Sequence, residues 1–242
     1  MIELEGVAMA FGGPPVLGSV SFSVARGEFA GLVGPNGSGK TTVLRLVARL
    51  LHARAGRVLV RGRDVAAFTR RELARIVAGV WQRPSISFGF TAWQIVLLGR
   101  TPHVPPFGWE SEADVKAADK AMEETGTLHL AERVAATLSA GELQRVFIAA
   151  ALAQESEVLL LDEPTSFLDL RQAARLSALL ARLAAAGITV LCASHDLALV
   201  KRHARRVILL RGGEASVREP AEALSPTSLR ETFEIAEEEW YA

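Results

Sequence analysis

The chain has 242 residues, half of them apolar, which is enough for one large domain or for a core with a subdomain. Its 27 Lys and Arg residues balance 27 Asp and Glu residues, so we expect no nucleic-acid partner on electrostatic grounds. Cys192 is the only cysteine, which excludes an internal disulfide, and no apolar run approaches the roughly 18 residues of a membrane-spanning helix. We also expect no secretory signal, so that other chains would have to cross any membrane at which this protein works.

The first third of the chain predicts a mixed start followed by α/β alternation. Strands or buried apolar segments are expected at Ile2–Ala10, Val20–Val24, Phe29–Val33, Val58–Val60 and Val77–Trp81. A Gly-Pro turn follows the first strand at residues 12–15. Helical spacing predicts two helices, at Thr41–Leu51 and Arg70–Arg75.

The pattern between residues 91 and 153 becomes helical. Thr91 is a suitable N-cap for a helix that ends at Leu98, and residues 101–109 are rich in proline and glycine, which predicts a loop. Two longer helices are expected at Glu112–Thr125 and Gly141–Ala153. This stretch therefore predicts a helical insertion within an α/β core.

The α/β alternation resumes after residue 153. Val158–Leu161 is a continuous apolar run, as expected of a buried parallel strand. A long helix at Leu170–Ala186 is followed by strands at Ile188–Ala193 and Val207–Leu210. Ser225 and Pro226 predict the cap and first position of a final helix.

A glycine-rich loop lies between the Phe29–Val33 strand and the helix that follows. It fits G-x-x-x-x-G-K-[ST] in full, through Gly34, Pro35, Asn36, Gly37, Ser38, Gly39, Lys40 and Thr41, with Thr42 next. Glycines allow successive backbone N–H groups to turn toward a phosphate, and the helix N-terminus favours the same anion. Lys40 would add a positive charge and Thr41 a hydroxyl for Mg²⁺. A glycine-rich turn without function is the alternative, but the strand–loop–helix context favours phosphate binding.

Two carboxylates follow the Val158–Leu161 strand. The carboxyl ends of parallel strands face the ligand crevice of an open α/β sheet, so Asp162 could hold Mg²⁺ and Glu163 could accept a proton from the attacking water. An acidic strand end that faces solvent is the alternative. The phosphate loop in the same chain favours the functional interpretation.

Leu138–Arg145 reads LSAGELQR, which resembles the LSGGQ signature of the ABC (ATP-binding cassette) ATPase family. Ser139 and Gly141 match the signature, whereas Ala140 replaces a glycine and Glu142 replaces the glutamine. With the phosphate loop and the Asp162–Glu163 pair in family order, the resemblance covers nearly the whole chain. It implies a P-loop NTPase fold of the α/β class, with an N-terminal antiparallel β subdomain and an inserted α-helical subdomain.

The resemblance also implies roles for further residues. Phe11 stands where an aromatic ring stacks on adenine, and Gln82 matches the Q-loop glutamine that contacts Mg²⁺ and senses the membrane partner. Residues 166–169, which end at Asp169, resemble the D-loop, and His195 matches the switch histidine. Alone, an aromatic near a strand end usually packs and a single histidine is usually solvated or capping. The functional interpretation depends on the order in which all of these residues follow one another along the chain.

The resemblance implies ATP and Mg²⁺ as ligands and a catalytic set of Glu163, His195, Lys40 and Gln82, with Thr41, Gln82 and Asp162 around Mg²⁺. It further implies that Ser139, a natural helix cap, and Gly141 bind the γ-phosphate held by another chain. Two composite sites would then form in a dimer with a second copy, or with a related chain. The single ATPase domain would span 1–242, with its core at about 1–90 and 154–242 and its helical subdomain at about 91–153.

Two further segments resemble one importer branch. Leu98–His103 resembles the LGRxPH stretch, and Leu168–Gln172 the LD-x-x-Q segment, of importer ATPases for iron-siderophores, haem and cobalamin. His103 shares no ligand spacing with the other histidines, so we do not expect it to bind metal. The alternative is that these two segments reflect sequence drift within a general ABC ATPase and do not indicate this branch. Metal-ion or molybdate importers, or a soluble ATPase of iron–sulfur cluster assembly, remain alternative functions.

An importer ATPase would be a peripheral protein on the cytoplasmic face of the cell membrane. Its partners would be polytopic permease subunits and, indirectly, a periplasmic or lipoprotein substrate-binding protein. A permease helix would enter a groove near Gln82 and residues 83–90. Phe88, Phe90 and Trp93 would then be partly exposed apolar contacts, although core packing explains each of them equally well.

Overall fold

The computed structural model describes residues 1–82 and 89–235, and within them the strands form two sheets. The first sheet is antiparallel, with strand order β2-β1-β4-β5. Its strands are β1 (Ile2–Met9), β2 (Leu17–Val24), β4 (Ala55–Val60) and β5 (Arg63–Asp64). In β1 and β2 buried residues alternate with more exposed ones, because only one face of this sheet packs on the core.

The second sheet has the order β10-β9-β3-β8-β7-β6 and is parallel except for β10, which pairs antiparallel with β9. Its strands are β3 (Phe29–Val33), β6 (Val77–Val80), β7 (Val158–Asp162), β8 (Thr189–Ala193), β9 (Arg206–Arg211) and β10 (Glu214–Arg218). Every residue of the central strands β3, β7 and β8 is buried, as their continuous apolar sequences predict. The carboxyl ends of the parallel strands therefore meet at one edge.

The helices are α1 (Lys40–Val47), α2 (Arg70–Ala74), α3 (Ala92–Leu98), α4 (Glu112–Glu124), α5 (Ala140–Ala153), α6 (Leu170–Ala185), α7 (Leu197–His203), α8 (Pro220–Ala223) and α9 (Pro226–Phe233). The predicted caps of α3, α5 and α9 are confirmed. The hydroxyls of Thr91, Ser139 and Ser225 each accept a hydrogen bond from the main-chain N–H three residues later. None of the described helices has the length and apolar character needed to span a bilayer.

The core divides according to the faces of the second sheet. Val158 and Leu160 of β7 pack with α1 and the antiparallel sheet, whereas Leu159 and Leu161 pack with α6 on the opposite face. A separate apolar cluster joins α3, α4 and α5, and Met122 and Leu130 are among its fully buried members. The predicted fold class, an α/β core with an antiparallel β subdomain and an inserted helical subdomain, is thus confirmed.

Several boundaries differ from the sequence prediction. The helix expected at Thr41–Leu51 ends at Val47, because Arg49 adopts a left-handed backbone conformation with φ of 54° that an α-helix cannot continue. The sequence prediction also omitted β5, α7, β10 and α8. The connection from β9 to β10 is a tight hairpin in which Gly212 and Gly213 have φ of 55° and 81°.

Arg100, in the Leu98–His103 stretch, ties the helical subdomain together. Its side chain is only 7% exposed and donates to Asp114 Oδ1 at 2.9 Å, the Ala153 carbonyl at 2.6 Å and Glu155 Oε2 at 2.7 Å. Hydrogen bonds from the Ser111 hydroxyl and N–H, then from Arg100, lower the pKa of Asp114 to about 2. His103 contributes a further link, since its Nε2 lies 2.9 Å from the Gln154 carbonyl oxygen.

Candidate nucleotide site

The glycine-rich loop connects β3 to α1 at the carboxyl edge of the parallel sheet. Gly37 and Gly39 have φ of 80° and 99°, a region that side chains with a Cβ rarely adopt. A Cβ on Gly39 would also lie 2.6 Å from Leu17 Cδ2. Glycine at position 39 is therefore required both by the backbone and by the close approach of β2.

Lys40 begins α1 and is 8% exposed. Its ammonium donates to the carbonyl oxygens of Gly34 at 2.7 Å and Pro35 at 3.1 Å, so the side chain folds back along the loop. Burial lowers the pKa of Lys40, while the charges of Glu163 and Asp162 oppose that shift. The loop thus holds a partly desolvated cation, which suits the binding of a phosphate.

Thr41 and Asp162 meet although 121 residues separate them. The Thr41 hydroxyl donates to Asp162 Oδ2 at 2.8 Å. Burial raises the pKa of Asp162, and hydrogen bonds from Thr41 and from the Gln82 main chain work against this shift. Hydroxyl and carboxylate oxygens are the donors that Mg²⁺ prefers, so this pair fits a magnesium ion.

Glu163 and His195 face each other beyond β7 and β8. The main-chain N–H of His195 donates to Glu163 Oε2 at 3.1 Å. The ring atom Nε2 of His195 lies 3.4 Å from Glu163 Oε1. Glu163 has a left-handed φ of 51°, a strained conformation that directs its side chain away from the line of the strand. Its Oε1 is buried and has no hydrogen bond within the described part of the chain, which leaves an acceptor for a bound group.

These residues line one pocket of about 630 Å³, a size within the usual range of about 300–1,000 Å³ for small-molecule sites. Its lining comprises Phe11, Val16, Asn36, Gly37, Gly39, Lys40, Thr41, Thr42, Gln82, Asp162, Glu163 and His195. Phe11, 60% exposed, lies where a planar base could stack on it. Ser38 Oγ, in the phosphate loop but outside this lining, is also buried without a hydrogen bond among the described residues. The donor set of the loop suits a polar, phosphorylated ligand.

Six predicted residues lie outside this lining: Gly34, Pro35 and Ser38 of the phosphate loop, and Ser139, Gly141 and Asp169. Ser139 is exposed and forms a capping box with Glu142, whose Oε2 accepts from both the Ser139 N–H and hydroxyl at 2.8 Å. A Cβ on Gly141 would lie 2.8 Å from the Phe167 carbonyl oxygen, so the first turn of α5 rests on the D-loop-like segment. Asp169 Oδ1 accepts from the Gln172 N–H at 2.7 Å and caps α6. The role of Ser139, Gly141 and Asp169 opposite a second chain stays a prediction.

The predicted apolar contacts near Gln82 have different surroundings. Phe88 lies outside the described residues. Phe90 is 36% exposed, whereas Trp93 packs against the helical cluster and donates from Nε1 to Asp119 Oδ1 at 2.8 Å. Core packing therefore accounts for Trp93. Val16 lines the pocket beside Phe11 but was not predicted, because a single valine before a strand has no distinguishing spacing.

Comparison with known proteins agrees with this geometry. The family model described as ABC transporter matches residues 17–166. The chain is 38% identical over 235 residues to a cobalamin import ATP-binding protein of Halobacterium salinarum, covering 96% of this chain and 58% of that protein. The chain thus spans little more than half the length of this relative.

Two further relatives match over most of their length. The iron(3+)-hydroxamate import ATP-binding protein of Bacillus subtilis is 35% identical, with 97% of this chain and 88% of that protein covered. The hemin import ATP-binding protein of Myxococcus xanthus is 39% identical, with 96% and 89% covered. These relatives confirm the predicted resemblance to the siderophore, haem and cobalamin branch.

Solved structures show the same fold. An inward-facing ABC transporter described as of the metal-chelate type aligns with a TM-score of 0.84 at 27% identity, covering 96% of this chain and 88% of that one. The dimeric structure of a bacterial ABC transporter cassette aligns with a TM-score of 0.82 at 27% identity, covering 91% and 99%.

Proposed function

Because this chain belongs to the ABC transporter family, we propose that it is the ATP-binding and ATP-hydrolysing subunit of an importer. One observation carries the proposal: a single pocket collects the cation of Lys40, the Thr41–Asp162 pair and the Glu163–His195 pair. These are the groups needed to bind a triphosphate, to hold its metal ion and to position a water molecule.

Nucleotide binding follows from the loop and the aromatic rim. The loop amides and the Lys40 ammonium would surround the β- and γ-phosphates, while Phe11 stacks on the adenine. Thr41, Asp162 and Gln82 would hold Mg²⁺, which when bound offsets the negative charge of the β- and γ-phosphate oxygens. The cofactor-binding residues from Gly34 to Thr42 would therefore act mainly by electrostatics. They place positive charge and N–H donors next to the negative charge that develops on the transferring phosphoryl group.

Glu163 is the proposed general base. Its free Oε1 accepts a proton from water, and the resulting oxygen nucleophile attacks the γ-phosphorus. The bond from that phosphorus to the β–γ bridging oxygen breaks, which yields ADP and phosphate. His195 holds Glu163 through its N–H and places Nε2 beside the same carboxylate, from where it would steady the γ-phosphate and the water.

A complete site is proposed to need two copies of this chain. Ser139 is exposed at the N-terminus of the 14-residue α5, and neither Ser139 nor Gly141 lines the chain's own pocket. Such a helix start attracts anions, so it can receive the γ-phosphate bound by a partner. Asp169, which follows the segment under Gly141, would contact that partner. The dimeric cassette among the structural relatives supports this arrangement.

We also infer the cargo class and the surroundings of the protein from its relatives. Their names, cobalamin, iron(3+)-hydroxamate and hemin import ATP-binding proteins, favour uptake of cobalamin, an iron chelate or haem over molybdate import or cluster assembly. The partners would be a polytopic permease and, through it, a substrate-binding protein. The chain would lie on the cytoplasmic face of the membrane, with residues 91–153 as the helical subdomain of one 1–242 ATPase domain, a division that the α3–α4–α5 cluster supports.

The direct test is phosphate release by Glu163→Gln. Without the proposed base, turnover should fall by about 10²–10⁴-fold, while ATP binding is retained because the phosphate loop is unchanged. Glu132→Gln, at an exposed position, is the matched control and should keep the wild-type rate. Wild-type turnover in Glu163→Gln would show that another group accepts the proton.

The cargo is tested in proteoliposomes that contain this chain with a polytopic permease that binds it. ATP-dependent uptake of cyanocobalamin, a ferric hydroxamate or haemin is the expected result, and Glu163→Gln should abolish it. Uptake of none of the three by an assembly that hydrolyses ATP would contradict the cargo class without touching the ATPase assignment.

A further inference from the structure

A second large cavity, of about 640 Å³, lies apart from the nucleotide pocket, between the end of α4, the middle of α5 and the outer face of α6. Its most distinctive lining is four arginines: Arg145 of α5, and Arg171, Arg175 and Arg182 of α6. Positions 171, 175 and 182 recur at helical spacing, so one face of α6 presents all three toward the same space.

Carboxylates act on these guanidinium groups only without direct pairing; the charge of Arg145, for example, helps to lower the pKa of Glu142. None forms an ion pair with a carboxylate within the described ranges 1–82 and 89–235. Glu123, Glu124 and Asp169 also line the cavity, so its four arginines exceed its three carboxylates by one charge. Glu124 lies 3.9 Å from Lys120, and Asp169 caps α6 through the Gln172 N–H. The lining thus carries an excess of positive charge, which favours a bound anion.

Arg145 supplies the second observation. Its Nε is buried from solvent and has no hydrogen-bond partner in the described structure. An unsatisfied buried donor costs free energy, and a guanidinium edge matches the paired oxygens of a phosphate or carboxylate. Arg145 therefore brings a donor without an acceptor to the cavity lining.

Part of the remaining lining is apolar. Ile148, Leu176 and Leu179 are buried side chains that line the same cavity. Inorganic phosphate would satisfy the arginines but would leave this apolar part uncovered. An anion that carries an apolar or aromatic body would contact both, which is the usual pattern of a small-molecule site.

We propose that this cavity binds an organic phosphate, with its phosphoryl group among Arg145, Arg171 and Arg175 and its apolar body on Ile148, Leu176 and Leu179. The ligand would bridge α5, whose cap is Ser139, and α6, whose cap is Asp169. A bound ligand would thus connect α5 to α6, which follows the D-loop-like residues. The cavity would then act as an effector site. The proposal does not depend on the transport assignment.

The test is binding of 1-naphthyl phosphate by isothermal titration calorimetry, with saturating ADP and Mg²⁺ to keep the phosphate loop occupied. One saturable site per chain is expected, with at least about tenfold tighter binding than inorganic phosphate. Arg145→Gln and Arg175→Gln should each weaken binding about tenfold or more, since each removes a charge-assisted contact. Arg175 is exposed, so its variant should fold normally.

Arg54→Gln is the matched control, because Arg54 is exposed and lies outside the cavity lining. It should bind 1-naphthyl phosphate like the wild type. Absence of saturable binding, equal weakening in all three variants, or equal affinity for inorganic phosphate would each overturn the proposal. Fluorescence competition with unlabelled ADP adds a check, since displacement by ADP would place the probe in the nucleotide pocket instead.

Discussion

Lys40 combines burial with spare hydrogen-bonding capacity. A lysine ammonium has three N–H donors, and the carbonyls of Gly34 and Pro35 occupy two of them. The third remains for an anion at the mouth of the loop. Glu163 shows the complementary case, since one carboxylate oxygen binds the His195 N–H and the other is left for a proton.

Replacing Lys40 with Ala should weaken ATP binding by about 10–100-fold, because a charge-assisted contact to the phosphates is lost. Equilibrium filter binding with labelled ATP measures the change. Lys116→Ala, on the exposed face of α4, is the matched control and should bind ATP normally. Unchanged affinity in Lys40→Ala would contradict the role of the phosphate loop.

The separate residues of the site differed in how well the sequence predicted them. Gly34–Thr42 follows from a local motif, because a phosphate cradle needs consecutive backbone amides. The approach of Glu163 to His195 depends on β7 and β8 being neighbours in the sheet, and only the family resemblance implied it. Val16 entered the pocket through the packing of Gly39 on β2, which no local pattern records.

Among the elements, those with strong end signals were predicted best. Thr91, Ser139 and Ser225 begin α3, α5 and α9 as expected. β10 was missed because EASVR has little apolar character, although the Gly212–Gly213 pair before it is a hairpin signal. α7 was not predicted, although Asp196 caps it by accepting from the Leu199 N–H at 3.0 Å.

The contacts of Arg100 with Asp114, Glu155 and the Ala153 carbonyl link α3, α4 and α5. They should make the packing of these helices sensitive to acid. The pKa of Asp114 is about 2, below its ordinary value of 3.8, so the carboxylate stabilises the fold above about pH 4. This contribution is lost as the pH falls from about 4 toward 2, because the unfolded chain then binds a proton that the folded chain does not.

Asp114→Asn should therefore lower the melting temperature near pH 6, and the difference from the wild type should shrink as the pH falls to 3. Thermal unfolding by circular dichroism over this range provides the comparison. Glu112→Gln, which alters an exposed ion pair with Lys116 on the same helix, should change little at any pH. A difference for Asp114→Asn that is independent of pH would exclude the charged cluster as its cause.

At the scale of the whole molecule, the proposed reaction centre is divided between two surfaces of one chain. The nucleotide pocket lies at the carboxyl edge of the sheet, and the start of α5 lies outside that pocket's lining. Two copies facing each other would bring each α5 to the partner's phosphate. Nucleotide would then hold the dimer together, and its hydrolysis would release it.

Glu163→Gln should therefore form a dimer with ATP that is detectable by light scattering, because bound nucleotide is not cleaved. Adding Ser139→Asp should keep the protein monomeric, since aspartate still caps α5 but opposes the γ-phosphate charge. Adding Ser139→Asn, which caps without a charge, should leave dimerisation largely intact. Equal dimerisation of all three proteins would rule out this surface as the phosphate contact.

Through the close contact between Gly39 and Leu17, the antiparallel sheet supports the phosphate loop. Leu17 is fully buried at the start of β2, and its methyl group supports the backbone at the turn into α1. The orientation of the backbone amides in the phosphate loop therefore depends partly on β2, which lies outside the parallel sheet. Trimming Leu17 to Ala would leave a void beneath the turn and should loosen nucleotide affinity from a position that supplies no chemistry.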